Sequence, residues 1–236
     1  MSQRARSAAV STLISALCLG LVGCGQEEVK YEPRPAASGA KASLPPVANL
    51  PKPPLKNGDV WTVWGASYSL RSRVNRKEVA NKRLSISGYI VKNNMTDAPE
   101  CAVHKGGKAD PPDCKAPVPT FWIADSKDAK EADAIMVMGW ASNFAQIFDA
   151  IEEFDKGKED AEHLDTFWGV KTPNPLPAVG AKVTVTGNYS STFSKASSGA
   201  AADPFMGVID YQEMTVQEPA PELATLPGVK RKEPRK

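Results

Sequence analysis

Hydrophobic and polar residues alternate over several short runs in the middle of the chain. The run at 83–92 places Leu84, Ile86 and Ile90 on one face. Alternation with a period of two predicts a half-buried strand, and Gly88 inside this run indicates a bend or a bulge. Further strands are predicted at 120–125, 134–140, 179–190 and 207–217, with Val183 and Val185 facing inward.

One segment follows the helical period instead. Residues 142–155 place apolar side chains three and four positions apart, which predicts an amphipathic helix with its apolar face in the core. Ser142 precedes the helix and is the expected N-cap. The apolar face consists of Phe144, Ile147, Phe148, Ile151 and Phe154. The predicted order is therefore three strands, one helix and two strands.

This order of elements resembles the oligonucleotide/oligosaccharide-binding (OB) fold, a five-stranded Greek-key barrel with a helix between strands three and four. The resemblance covers residues 83–217. Gly88 and Gly187 resemble the glycines that let the first and fourth strands curl in that fold. The resemblance implies a mainly β domain, and residues 60–79 are expected to form an N-terminal strand and helix packed on the barrel.

The first residues of the chain have the pattern of an export signal. Basic Arg4 and Arg6 precede an apolar run that ends in the polar segment starting at Gly25. This run is shorter than the about 20 apolar residues that a spanning helix needs. We therefore predict that residues 1–23 are a signal peptide.

The junction at Leu21-Val22-Gly23-Cys24 resembles the lipobox of bacterial lipoproteins. The resemblance implies cleavage before Cys24, lipid attachment to Cys24, and a membrane as partner through that anchor. Gly25, where some lipoproteins carry aspartate, favours the outer membrane over the inner one; the face on which the domain lies stays open. The chain also resembles uncharacterised exported lipoproteins that carry barrels of this kind.

Composition divides the remainder of the chain into three parts. Residues 24–57 are rich in proline and predict a disordered linker, 58–217 form the domain, and 218–236 are expected to be a disordered basic tail. Loss of residues 1–23 removes two of the 29 Lys and Arg residues, which leaves them equal in number to the 27 acidic residues. No overall basic charge favours nucleic acid as a partner.

Cys101 and Cys114 are the cysteines that remain in the body of the chain. Exported compartments are oxidising, so a disulfide is the favoured interpretation. The alternative is a zinc or copper site with Cys101, His104 and Cys114 as ligands. Their spacing is not that of a recognised zinc finger, and neither C-x-x-C nor C-x-x-C-H is present.

The sequence contains no recognisable catalytic motif, so we expect no enzymatic activity and no cofactor. His163 lies in a polar run and is expected at the surface. The OB resemblance implies a ligand site across strands two and three, between the long loops at 93–119 and 191–205. Aromatic residues on those strands would form a ligand face if exposed; the candidates are Phe121, Trp122 and Trp140.

The favoured function is therefore that of a non-enzymatic, lipid-anchored envelope protein. Its OB-like domain would bind a protein, peptide or glycan. The alternative is a metal-handling envelope lipoprotein that uses the loop from Cys101 to Cys114.

Overall fold

A computed structural model describes residues 53–156, 161–195 and 199–231. The predicted signal peptide, Cys24 and most of the predicted linker lie outside these residues. Within the described ranges, no helix has both the length and the apolar character needed to cross a membrane.

The described residues form eleven strands and three α-helices. The strands are β1 (Lys56–Asn57), β2 (Val60–Thr62), β3 (Lys82–Asn93), β4 (Phe121–Ala124), β5 (Ile135–Met138), β6 (His163–Leu164), β7 (Lys171–Thr172), β8 (Lys182–Ser190), β9 (Phe193–Lys195), β10 (Ala200–Ala202) and β11 (Val208–Glu218). The helices are α1 (Val63–Arg71), α2 (Arg76–Val79) and α3 (Phe144–Phe154). The five strands and the helix that the sequence pattern predicts are all present.

Seven of these strands form one mixed sheet in the order β1-β2-β3-β4-β5-β11-β8, and β3 also pairs with β8. The β2–β3 and β5–β11 pairs are parallel, and the other pairs are antiparallel. Two separate hairpins, β6–β7 and β9–β10, accompany the sheet. The protein is therefore mainly β, as the sequence predicts.

Large and small residues alternate across the β3–β8 ladder. Ile86 pairs with Val185, while Gly88 pairs with Val183 and Leu84 pairs with Gly187. A Cβ atom on Gly88 would lie 2.9 Å from the carbonyl oxygen of Ala124 and 3.0 Å from the Val63 side chain. At Gly88, therefore, the backbone approaches its neighbours too closely for any larger residue.

Most of the core is one large cluster of buried side chains from the sheet and α3, and two smaller buried clusters also involve the sheet. Its largest fully buried side chains include aromatic and β-branched residues from β3, β4, β5 and β11, as the alternating pattern predicts. They include Ile86, Ile90, Phe121, Ile123, Ile135, Trp140, Phe144, Ile147, Tyr189 and Ile209.

Helix α3 begins one residue later than the sequence suggests. Its N-cap is Asn143, whose side chain accepts a hydrogen bond from the backbone N–H of Gln146. Ser142 is not the cap, because its hydroxyl oxygen has no hydrogen-bond partner among the described residues. Its backbone N–H donates to the carboxylate of Asp165, at 2.6 Å. Serine and asparagine are both good caps, so residue type alone does not distinguish them.

The segment before β3 packs on the sheet, as expected. The carboxylate of Asp125 accepts hydrogen bonds from the first two backbone N–H groups of α1, at Val63 (2.9 Å) and Trp64 (2.7 Å). A carboxylate at a helix N-terminus satisfies free N–H groups and interacts favourably with the helix dipole.

The segment after β11 corrects the prediction of a disordered tail from residue 218. Leu226 is buried in the core, and Ala220, Ala224 and Val229 pack against it. The Arg231 guanidinium lies 3.0 Å from the Asp155 carboxylate. The polar, proline-rich composition concealed these contacts, because one leucine and a few small residues are enough to dock the segment. The ordered domain therefore extends at least to Arg231.

Candidate functional site

A cleft of about 740 Å³ lies between the β6–β7 hairpin and the middle of β11. That volume is within the range of ligand sites in proteins. The residues that line it are Ala161, Glu162, Gly169, Val170, Lys171, Thr172, Pro173, Asn174, Tyr211, Gln212, Glu213 and Met214.

One side of the cleft is a strand that loses a neighbour. Residues 208–210 of β11 pair with β5 on one side and β8 on the other. From Tyr211 onward, β11 pairs with β8 alone among the described residues. A strand edge without a neighbour presents backbone donors and acceptors to whatever lies beside it.

A bulge marks the point where the neighbour is lost. Tyr211 pairs with Gly187 and Glu213 with the adjacent Thr186, so Gln212 has no opposite residue in β8. Bulges bend and twist a strand and commonly occur where pairing ends. Gln212 and Glu213 are both exposed and line the cleft.

The other side of the cleft is fixed to helix α3 by a buried carboxylate. Asp165 is fully buried, and its side chain accepts backbone hydrogen bonds from Ser142, Phe167 (2.9 Å) and Trp168 (2.8 Å). The Gln146 side chain accepts another from the N–H of Thr166, at 3.1 Å. These bonds hold the β6–β7 turn against the start of α3.

The hairpin also holds buried polar atoms without a hydrogen-bond partner among the described residues: His163 Nε2, Trp168 Nε1 and Thr172 Oγ1. His163 and Thr172 are opposite each other in the β6–β7 ladder. Buried polar atoms are nearly always paired in proteins. Of these three residues, Thr172 lines the cleft, whereas His163 and Trp168 are not among the lining residues.

His163 is half-buried rather than at the surface, which corrects the expectation from its polar sequence context. Burial lowers its pKa, and the nearby carboxylates of Asp149, Asp165 and Glu153 oppose that shift. His163 pairs with Thr172 in a two-residue strand. A strand this short has no alternating pattern that the sequence could reveal.

The lining of the cleft combines charged, polar and apolar side chains. Glu162 and Lys171 form an exposed ion pair, 2.8 Å apart, at the hairpin. Tyr211 is 6% exposed, and burial raises the pKa of its hydroxyl.

The loop at 101–114 has the geometry of a disulfide. The sulfur atoms of Cys101 and Cys114 are 2.07 Å apart, and their Cα atoms are 5.9 Å apart.

His104 donates from Nδ1 to the carbonyl of Lys105 (2.9 Å), and its Nε2 lies 3.0 Å from Asp110 Oδ1. Because only the charged imidazole donates from both nitrogens, these contacts raise the pKa of His104.

The metal-site alternative for this loop receives no support from the geometry. Across the described ranges, no three His, Cys, Asp or Glu side chains are grouped so as to hold a metal ion.

The aromatic side chains that were predicted to form a ligand face are not exposed. Phe121 and Trp140 are fully buried and pack edge to face, with ring centroids 6.0 Å apart. Trp122 is 9% exposed, and the Lys92 ammonium lies over its ring at 4.9 Å. These aromatic side chains belong to the packing of the sheet on both of its faces.

The two long loops are also placed differently from the expectation. In the loop at 191–205, β9 and β10 form a hairpin that packs on the sheet through Phe193, Met138 and Val208. In the loop at 93–119, the N–H of Gly106 bonds to Asp149 of α3. The first loop covers part of β5 and β11, and the second is attached to the helix.

Comparisons with known proteins give no assignment. No family model matches the chain, and no curated protein matches it. Among solved structures, a putative aspartyl-tRNA synthetase from Leishmania major Friedlin is similar to 78% of this chain at 15% identity, with a TM-score of 0.31. The chain covers 24% of that protein. The cleft and the strand pairing therefore carry the functional argument.

Sequence reasoning did not identify the cleft. Both of its walls lack a strong pattern, since β6 and β7 are two-residue strands and the β11 edge depends on where β5 ends. The broken alternation at Gln212 and Glu213 was the available signal, because a bulge interrupts the period of two.

Proposed function

We propose that this chain is a lipid-anchored cell-envelope protein whose OB-like domain binds an extended peptide segment without catalysing a reaction. The observation that carries the proposal is the unpaired edge of β11 inside the cleft. An extended peptide can add to such an edge as a further strand and gain main-chain hydrogen bonds.

The OB-like assignment is supported by the order of pairing. The strands β3, β4, β5, β11 and β8 pair in that sequence, and β8 pairs again with β3. The β5–β11 pair is parallel, and α3 lies in the chain between β5 and β8. The OB-fold is likewise a partly open five-stranded Greek-key barrel. The edge at Tyr211 would be the opening in that barrel.

The dimensions of the cleft favour a peptide. The four residues Tyr211–Met214 span about 13 Å at the rise of a β-strand. Gly169–Thr172, on the facing hairpin, give a second wall of similar length. Charged lining residues such as Glu162, Lys171 and Glu213 suit a partner that keeps some of its side chains in water.

The anchor and the compartment are supported by the sequence. The Leu21–Cys24 segment resembles a lipobox, and the disulfide geometry at Cys101 and Cys114 suits an oxidising compartment. We propose the outer membrane as the location because Gly25 follows Cys24. A tethered domain with a strand-binding cleft would capture unstructured segments of envelope proteins.

Selection from a random peptide library displayed on phage tests the binding function. The full chain should enrich binding peptides. Their affinity for the Gln212→Arg variant should be at least tenfold lower, about 1.4 kcal/mol, because this substitution places a long side chain across the cleft. The matched control is Thr215→Arg, because Thr215 is exposed on the same strand outside the cleft. If the selected peptides bind both variants with the same affinity as the wild-type chain, the cleft is not the peptide site.

A further inference from the structure

We propose that a basic surface at the α1–α2 end of the domain binds anionic phospholipid headgroups. This basic surface comprises Arg71, Arg73, Arg76, Lys77, Lys82 and Arg83. It is separate from the cleft, and the inference depends neither on peptide binding nor on the lipid anchor.

The basic surface has a strong local excess of positive charge. All six cations lie within residues 71–83 and are exposed, and Glu78 is the single acid in that segment. The ion pairs formed by lysine and arginine in the described residues use other side chains. The balance of acids and bases over the whole chain conceals this local charge.

Contacts with the β8–β11 connection extend the basic surface. The Arg71 guanidinium lies over the Phe205 ring, 4.5 Å from its centroid. Arg76 lies 3.4 Å from the hydroxyl of Ser191, to which it donates. Asp203 is the one acid in the described part of this connection, so two acids oppose the six cations.

Exposed apolar side chains lie within this charged region. Val74, between α1 and α2, is 83% exposed, and Phe205 is 75% exposed. These are the most exposed of the large hydrophobic side chains in the described residues. A bilayer surface accepts both features, because cations pair with phosphates while apolar side chains enter the boundary with the acyl chains. A soluble polyanion would leave Val74 in water.

Hydrogen exchange of the full chain reconstituted into vesicles tests this inference. We expect residues 71–83 and 203–206 to exchange more slowly in phosphatidylcholine vesicles that contain phosphatidylglycerol than in phosphatidylcholine alone. Because the same full chain is used with both kinds of vesicle, the difference reports the response of these residues to lipid charge. High salt should remove the difference, since headgroup attraction is screened.

Two variants make the test specific. Arg73→Glu/Lys77→Glu/Arg83→Glu should reduce the phosphatidylglycerol-dependent protection at least about tenfold. The control Lys115→Glu/Lys130→Glu/Lys230→Glu has the same change of charge on exposed lysines elsewhere and should keep it. Val74→Ser/Phe205→Ser, which keeps every charge, should also reduce the protection.

Three results would overturn the inference. The first is equal protection of residues 71–83 in both kinds of vesicle. The second is an equal loss of phosphatidylglycerol-dependent protection in the charge variant and in its control. The third is protection by a single-stranded oligonucleotide that exceeds protection by phosphatidylglycerol and is unchanged in Val74→Ser/Phe205→Ser, which would identify nucleic acid as the partner.

Discussion

The backbone N–H of Gly106 donates to both carboxylate oxygens of Asp149, at 3.0 and 3.1 Å. Gly106 lies between Cys101 and Cys114, whereas Asp149 lies in the middle of α3. The loop is thus held at two places, by the paired cysteines at its base and by this carboxylate near its tip. A Cβ atom on Gly106 would collide with the same carboxylate.

The double variant Cys101→Ser/Cys114→Ser should lose up to about 3 kcal/mol in the free energy of unfolding, because the unfolded chain gains freedom. Denaturant unfolding measures this loss, and hydrogen exchange should show loosening mainly within 93–119. The control His104→Ala should cost much less stability, because it removes the contacts of one partly exposed imidazole and leaves the cysteines paired. Two results together would support the metal-site alternative instead. The native chain would have two reactive thiols, and it would bind one zinc or copper ion that is lost in His104→Ala.

Gly88→Val should destabilise the domain by about 3 kcal/mol, because the new side chain would meet the backbone of Ala124. The control is Arg83→Val, a β-branched substitution at an exposed position of the same strand. Thermal and denaturant unfolding compare the two. Equal stability of Gly88→Val and the wild-type chain would show that β3 and β4 do not approach each other in this way.

The fold could be predicted where side chains alternate regularly. Ile86, Val183 and Val185 mark inward positions in any sheet, and Gly88 is conspicuous because its neighbours on that face are large. The sequence could not decide between Ser142 and Asn143 as the cap, since serine and asparagine are both good caps. Sequence composition does not distinguish the buried Trp140 from an exposed aromatic residue.

The site was less accessible to sequence reasoning because it depends on which strands become neighbours. The edge at Tyr211 exists because β5 ends at Met138, and the wall at Gly169–Thr172 exists because Asp165 fastens its turn to α3. The broken alternation at Gln212 and Glu213 indicates a bulge, but no local pattern shows which strands or turns become neighbours. The cysteine pair, by contrast, could be predicted from the number of cysteines and from the predicted export signal.

The chain has two histidines, and their pKa values should move in opposite directions from 6.5. His104 has a raised pKa, so its contacts stabilise the fold fully below pH 6.5 and that contribution is lost as pH rises through the folded-state pKa. His163 has a lowered pKa, so stability falls as pH drops from 6.5 to its folded-state pKa. NMR titration of the imidazole protons measures both.

The assignment of the two resonances uses one variant. Asp110→Asn should lower the pKa of His104 and leave that of His163 unchanged, because Asp110 contacts His104 alone of the two. A value above 6.5 for His163 would contradict the burial of its imidazole.

Cys24→Ser should abolish incorporation of labelled fatty acid and leave an uncleaved precursor, because the thiol is the attachment point in the proposed lipobox. The matched control is Cys18→Ser, which changes a cysteine inside the predicted signal. Labelling of Cys24→Ser at the level of the wild-type chain would exclude lipid attachment at Cys24.

A peptide that adds to β11 as a further strand must contact the backbone of that strand. NMR of the labelled full chain in detergent micelles with a selected peptide detects this contact as nuclear Overhauser effects between backbone protons. We expect cross-strand effects between the peptide and Tyr211–Met214, with slowed amide exchange at those residues. Both should be lost in Gln212→Arg. Contacts confined to β4 and β5, or a bound peptide with no contact to β11, would contradict the proposed strand addition.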